Sequence, residues 1–272
     1  MAARAVAEVD LQDFNESINL MIHAFPGQGK TVWSTGAPNC QLVSAEPGAI
    51  SAKRQGRRGV GLVRINSWAD AVDWRRQLEA GEFDHRKWVV IDTISTIQRK
   101  NQNEVLDKAV AENPRRDPDI PAIQDYQKQQ NSLTRWVEAV VDYPINTIWL
   151  AHTMRVEDQD GNTKYMPTIL GGADKGFPIA NYIMGLMNCV GYMQMKSKKV
   201  DGDRRRVRRI LWQPFDDGTV MYVAKDQFDC FGMFTDDLDF AGHLALIEGS
   251  GSEEEEAPAT PAKRAAARRR AA

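Results

Sequence analysis

The sequence predicts an α/β fold: a mostly parallel sheet with helices on both faces, finished by antiparallel hairpins toward the C-terminus. Three observations carry that expectation. Short apolar runs alternate with stretches of helical period. The runs at 87–92 and 145–152 are rich in β-branched and aromatic residues, as strands buried on both faces require. The last third changes character, with Asp201-Gly202 and Asp217-Gly218 marking turns between segments that can alternate in and out.

Taken in order, residues 18–24 read as a strand entering a Gly-rich loop, and residues 29–36 open a helix. "CQLVSA" (40–45) and "VGLVRI" (60–65) read as the next strands. Ser67 is a suitable N-cap for the helix "SWADAVDWRRQLEAG", in which Trp68, Ala71, Val72 and Leu78 share a face. "KWVVID" (87–92) is a buried strand. A helix follows in which Ile123, Tyr126, Leu133, Trp136, Val137 and Val140 keep close to helical period until Pro144 stops it. "INTIWLAH" (145–152) returns to the sheet. The expected organisation is an N-terminal arm (1–15), a body (16–248) and a tail (249–272). The tail passes from Gly/Ser through an acidic block to a basic one and cannot bury a core.

At 272 residues, with 42% hydrophobic and 26% charged side chains, the composition is that of an ordinary globular protein. No apolar run is long enough for a bilayer, and the first residues lack the apolar stretch of a secretory signal, so no membrane partner is expected. Cys40, Cys189 and Cys230 form neither a disulfide framework nor a zinc spacing, which points to a cytoplasmic setting. The formal net charge of −2 hides one asymmetry: residues 196–209 carry eight basic and two acidic side chains.

The chemistry begins at "MIHAFPGQGKT". A strand, a Gly-rich turn and a helix start are the context of a phosphate-binding loop, G-x-x-x-x-G-K-[ST], except that Ala24 stands where the pattern wants glycine. A methyl group fits there if the backbone φ is negative. Pro26, Gly27, Gln28, Gly29, Lys30, Thr31 and Val32 would cradle phosphates. Lys30 would reach the β/γ-phosphates, and Thr31 with Asp92, which ends the apolar strand in the Walker B manner, would hold Mg²⁺. ATP and Mg²⁺ are the expected cofactors. Glu46, which follows the strand "QLVSA", is a candidate for orienting water, and His152 or Thr153, just after "TIWLA", for sensing the γ-phosphate.

These residues resemble the RecA/RadA superfamily, and more narrowly the RecA-like ATPases of bacteriophages, often labelled AAA-family ATPases and including single-strand annealing proteins. "MIHAFPGQGKT", "LVSAEPGA", "WVVIDTIST" and the segment from "IQDYQKQQ" to "TIWLAHT" carry the likeness; "VAKDQFDCFG" adds a weaker one. The resemblance implies a RecA-like core, Glu46 as catalytic base, His152 as γ-phosphate sensor, and Lys225 projecting into a neighbouring subunit's ATP site. Gln227 stands where that family has arginine. It also implies single-stranded DNA along loops near 107–120, with Lys108, Arg115 and Arg116, and near 154–175, with Arg155, Lys164, Tyr165 and Lys175.

The Lys196–Arg209 segment reads as a basic ribbon whose alternation sends Arg204, Arg206 and Arg208 to one face and Arg205 and Arg209 to the other, suited to a phosphate backbone. An edge strand blunted with charge is the alternative reading. The expected whole is an ATPase acting on single-stranded DNA in phage recombination or replication, by annealing or strand pairing. Its expected partners are single-stranded DNA, further copies of itself in a ring or filament, and a single-strand-binding protein. A helicase-like motor or loader, and a nucleotide-switched binding module with little turnover, are the rival readings.

Overall fold

The computed structural model describes residues 17–157, 161–171, 178–200 and 203–249. The expected N-terminal arm, nearly all of the expected tail, Lys175 and the Asp201-Gly202 turn lie outside the described residues.

The first half builds the parallel core. Strand β1 (Asn19–Ala24) leads through the Gly-rich loop into α1 (Lys30–Ser34). Strands β2 (Cys40–Ser44), β3 (Gly61–Arg64) and β4 (Trp88–Asp92) are separated by α2 (Ala49–Arg54) and α3 (Trp68–Glu79). Ser67 caps α3 as expected, and its side chain closes a reciprocal capping box with Asp70. Two 19-residue helices follow, α4 (Ile94–Glu112) and α5 (Ile123–Val141), before β5 (Asn146–Glu157).

The remainder is β6 (Thr163–Pro167), α6 (Pro178–Gly185), β7 (Cys189–Val200), β8 (Asp203–Leu211), β9 (Phe215–Asp216), β10 (Met221–Tyr222), β11 (Lys225–Asp226), β12 (Phe234–Asp236) and α7 (Phe240–Ile247).

The main sheet runs β12-β8-β7-β1-β5-β4-β2-β3. From β7 to β3 every neighbouring pair is parallel; β8 and β12 add antiparallel strands at one edge. The expected fold class is therefore seen in its coarse form. The two C-terminal hairpins take different places. β7–β8 extends the edge of the main sheet, but β9–β10 sits off it, where β10 runs parallel to β6. The reason is that β5 continues past the sheet and folds back as β6, giving β10 its own strand to pair with.

Alternation along the strands divides the core into two layers. Met21, Val43, Val89, Ile91 and Trp149 face α3, α4, α5 and α6. Leu20, Ile22, Leu42, Val90, Ile148 and Leu150 face Trp33 of α1 and Phe240 of α7. The first layer is anchored by tryptophans: Trp136 lies within 6.0 Å, centroid to centroid, of Trp68, Trp74 and Trp149. Buried indoles need partners for their N–H groups. Trp136 donates to the Ala71 carbonyl and Trp74 to Gln41 Oε1.

Candidate active site

Four parallel strands bring their C-terminal ends to one edge. In register, Ala24 of β1 lies beside His152 of β5, and Asp92 of β4 beside Ser44 of β2. Ala24, the departure from the glycine pattern, is buried in the core, and it is not among the described non-glycine residues with positive φ, which are Asn39, Asp229 and Asp237. Alanine therefore fits without strain. Its carbonyl accepts a 3.0 Å hydrogen bond from Lys30 Nζ. The loop's demand for glycine falls instead on Gly27 (φ 78°) and Gly29 (φ 91°), where side chains are disfavoured.

Thr31 donates its hydroxyl proton to Asp92 Oδ2 at 3.1 Å. A Cβ on Gly48 would stand 3.3 Å from that carboxylate oxygen and 3.4 Å from the Thr31 hydroxyl, so glycine at 48 lets the β2 loop close over the pair.

Glu46 is held from three sides. His152 Nε2 lies 2.8 Å from its Oε1, Thr93 donates at 2.6 Å, and Thr96 donates to the same oxygen. The Glu46 carbonyl accepts from Arg64, and the His152 main-chain N–H donates to Ser95 Oγ. The Asp92–Thr93 peptide, where β4 meets α4, is cis.

The two carboxylates are driven in opposite directions. For Glu46, burial pushes upward, but the hydrogen bonds from His152, Thr93 and Thr96 outweigh it and hold the carboxyl at about 2. Asp92 is raised to about 6 by burial and then by the charge of Glu46, with Thr31, Lys30 and His152 pulling back. Burial also lowers the Lys30 amine from its usual value, against the pull of Asp92 and Glu46.

The donor set fits a nucleotide and a divalent cation. Lys30 is 93% buried and makes no ion pair among the described residues, and the Nε of Arg208, beside Gly29, is buried with no partner. Two cations with no ion-pair partner among the described residues suit the phosphates of a nucleotide. No group of three or more His, Cys, Asp or Glu residues gathers among the described residues, so a cation here would take Thr31 and Asp92 with phosphate oxygens completing its shell.

The structure brings together Gly27, Gly29, Lys30, Thr31, Asp92, Glu46 and His152 at this edge. Pro26 and Gln28 lie in the same loop, with Gln28 Oε1 accepting from the Met195 N–H at 2.6 Å, and Val32 lies in α1. Lys225 lies elsewhere. It pairs in register with Val190, toward the start of the sheet, and its Nζ donates to the carbonyls of Gly185 and Met187.

The expected DNA residues scatter. The loop expected at 107–120 is shorter, because α4 continues to Glu112; Lys108 lies on that helix bonded to Glu104, and Arg116 is paired with Asp125. The loop expected from 154 is in large part the β5–β6 hairpin, with Arg155 donating to Thr163 across it and Lys164 on β6. Tyr165 is not an open stacking platform: it packs among Phe25, Tyr192 and Tyr222. Arg204 and Arg206 are exposed near the tip of β7–β8, whereas Arg208 reaches back to the phosphate-binding loop and Arg209 pairs with Asp236 over the Phe234 ring.

Sequence reasoning singled out none of Thr93, Ser95 and Thr96. The signal was the T-x-x-T spacing that opens α4, which places both hydroxyls one turn apart. A family model described as "AAA domain" matches residues 16–228. No curated protein matches the chain.

Proposed function

The chain belongs to the AAA-domain family, whose members are in general nucleotide-binding ATPases, and on that footing we propose that it hydrolyses ATP and works on single-stranded DNA. One observation carries the nucleotide reading: Lys30, Thr31 with Asp92, and Glu46 with His152 converge at the C-terminal edge of a parallel sheet, where open α/β folds bind ligands.

In this reading Gly27, Gly29 and Lys30 hold the phosphate chain. Thr31 and Asp92 hold the cation, which when bound neutralises phosphate charge. Glu46 orients the attacking water, and His152, bonded to Glu46, senses the γ-phosphate. A RecA-like role in annealing or strand pairing, with self-assembly and a neighbour's Lys225 completing the site, is the finer form of the proposal. Its support is the β7–β8 ribbon, where Arg204, Arg205 and Arg206 are exposed and make no ion pair among the described residues.

A second reading, a nucleotide switch with slow turnover, is favoured by one observation: three donors on Glu46 leave it a weak base near 2.

The test is ATP turnover by the full chain, with and without single-stranded DNA, beside Lys30→Ala. We expect DNA to stimulate turnover, and Lys30→Ala to abolish both turnover and ATP binding. Turnover indifferent to DNA sinks the DNA reading; binding without turnover selects the switch.

A further inference from the structure

We propose that Arg208 is a nucleotide-site residue acting within its own chain, contacting the phosphate chain of a nucleoside di- or triphosphate, and is not part of the nucleic-acid surface that its neighbours form. The inference rests on the nucleotide reading above and adds a ligand that the phosphate-loop pattern does not include.

Position carries the first part. β8 pairs with β7, and β7 pairs with β1, so the hairpin flanks the strand that delivers the phosphate-binding loop. Arg208 stands in register with Met195, whose N–H donates to Gln28 Oε1 of that loop. From there the guanidinium lies over Gly29: Nη2 is 2.9 Å and Nε 3.2 Å from the point a Cβ would occupy. A Cβ at 29 would meet the guanidinium, the movable end of a long side chain, so the need for glycine there rests on its φ of 91°.

Chemistry carries the second part. The other described arginines of the ribbon are either exposed near its tip, as Arg204, Arg205 and Arg206 are, or matched, as Arg209 is by Asp236. Arg208 has neither condition. Its Nε is buried without an acceptor, and it makes no ion pair among the described residues. Its backbone, by contrast, is fixed: the N–H donates to Asp237 Oδ1 at 2.6 Å and the carbonyl accepts from the Asp237 N–H at 2.7 Å. A buried guanidinium N–H left unpaired is costly, and planar donors of this kind suit phosphate oxygens. With Lys30, which likewise makes no ion pair among the described residues, in the same loop, the acceptor that satisfies it is a phosphate oxygen.

The experiment compares Arg208→Met, which keeps an apolar stem but removes the charge, with Arg208→Lys, Lys30→Ala and an Arg204→Ala/Arg206→Ala double variant, all in the full chain. Binding of ATP and of ADP with Mg²⁺ is measured by calorimetry, and binding of an oligothymidylate by anisotropy without nucleotide. Arg208→Met is expected to weaken ATP and ADP binding by about tenfold, the loss of one charge-assisted contact. Arg208→Lys is expected to recover part of it, which a merely structural defect would not do. Oligothymidylate binding is expected to be unchanged by Arg208→Met and weakened by the double variant.

Arg208→Met that binds both nucleotides within twofold of the parent, while Lys30→Ala does not bind, overturns the inference alone. So does Arg208→Met that loses oligothymidylate and keeps ATP. Lys30→Ala that binds ATP as well as the parent overturns the nucleotide reading itself, and the inference with it.

Discussion

The two walls of the site are built on different principles. On the wall made by β2, β4, α4 and β5, polar groups largely satisfy one another: Thr31 bonds Asp92, and Thr93, Thr96 and His152 bond Glu46. On the wall made by the phosphate-binding loop and the β7–β8 hairpin, Lys30 and Arg208 lie close to the loop backbone and have no anionic partner among the described residues. The acidic wall is largely paired within the chain, with His152 Nδ1 the buried atom left over, whereas Lys30 and Arg208 on the cationic wall make no ion pair among the described residues. Geometry for chemistry is fixed in advance on one side, while binding energy is held in reserve on the other.

The comparison breaks most sharply at Glu46. If that wall serves chemistry and not affinity, Glu46→Gln lowers kcat by on the order of 100-fold while leaving the ATP dissociation constant within a few-fold. Single-turnover kinetics beside calorimetry checks this. An equal loss in both would mean that Glu46 belongs to binding.

The next effect separates the two carboxylates by sign. Glu46 sits below its usual range, so its charge stabilises the fold above about pH 4.5, and that contribution is lost as pH falls toward 2. Asp92 sits above its usual range, so its ionisation costs stability above pH 6, and that cost is relieved as pH falls toward its ordinary value of 3.8. Asp92→Asn should therefore raise the stability of the nucleotide-free protein by about 2 kcal/mol at pH 8 while abolishing Mg²⁺-dependent turnover. The gain should shrink as pH drops through 6. Urea melts at pH 8 and pH 5 measure both.

The same melts report two histidines away from the acidic wall. Burial holds His23 and His243 at about 4. Each therefore withdraws about 3 kcal/mol of stability as pH falls from 6.5 toward 4, where the unfolded chain takes up the proton first. Because Asp92 opposes this over nearly the same range, the Asn variant should lose stability with acid more steeply than the parent. Parallel curves would show that the Asp92 carboxyl is not raised.

The smallest effect sharpens the picture. Thr96→Val removes one of three donors to Glu46 and should cost about 1 kcal/mol of stability, with a change in kcat of less than tenfold. A larger loss would make Thr96 a full partner of Glu46 in positioning water.

Much of this was legible in the sequence where a single period dominates. The strands of the parallel core announce themselves by apolar runs, and the loop by glycines that its backbone needs. Helix α4 was harder to read because its buried face includes Gln98 and Asn101, which bond to α5 and the segment after β6 instead of repeating an apolar stripe. The helix runs on to Glu112 with Leu106 and Ala109 buried, so the loop expected from 107 begins only after it. Arg208 was legible as a basic residue but not as a neighbour of Gly29, since a contact between positions 179 residues apart depends on β7 joining β1 in parallel. Lys225 shows the limit of resemblance: its position relative to a second subunit is not a property of one chain.

Seen as mechanics, the β7–β8 ribbon is a strut. Its foot is at Met195 and Arg208, which touch the phosphate-binding loop at Gln28 and Gly29. The arm from Met195 to Val200 is about 16 Å long at the usual rise of a strand and is tied partway along by the Lys198–Asp236 ion pair. The exposed arginines at one end and the contacts with Gln28 and Gly29 at the other thus belong to one hydrogen-bonded ribbon, so the solvent-facing tip and the phosphate-binding loop share a single continuous piece of sheet.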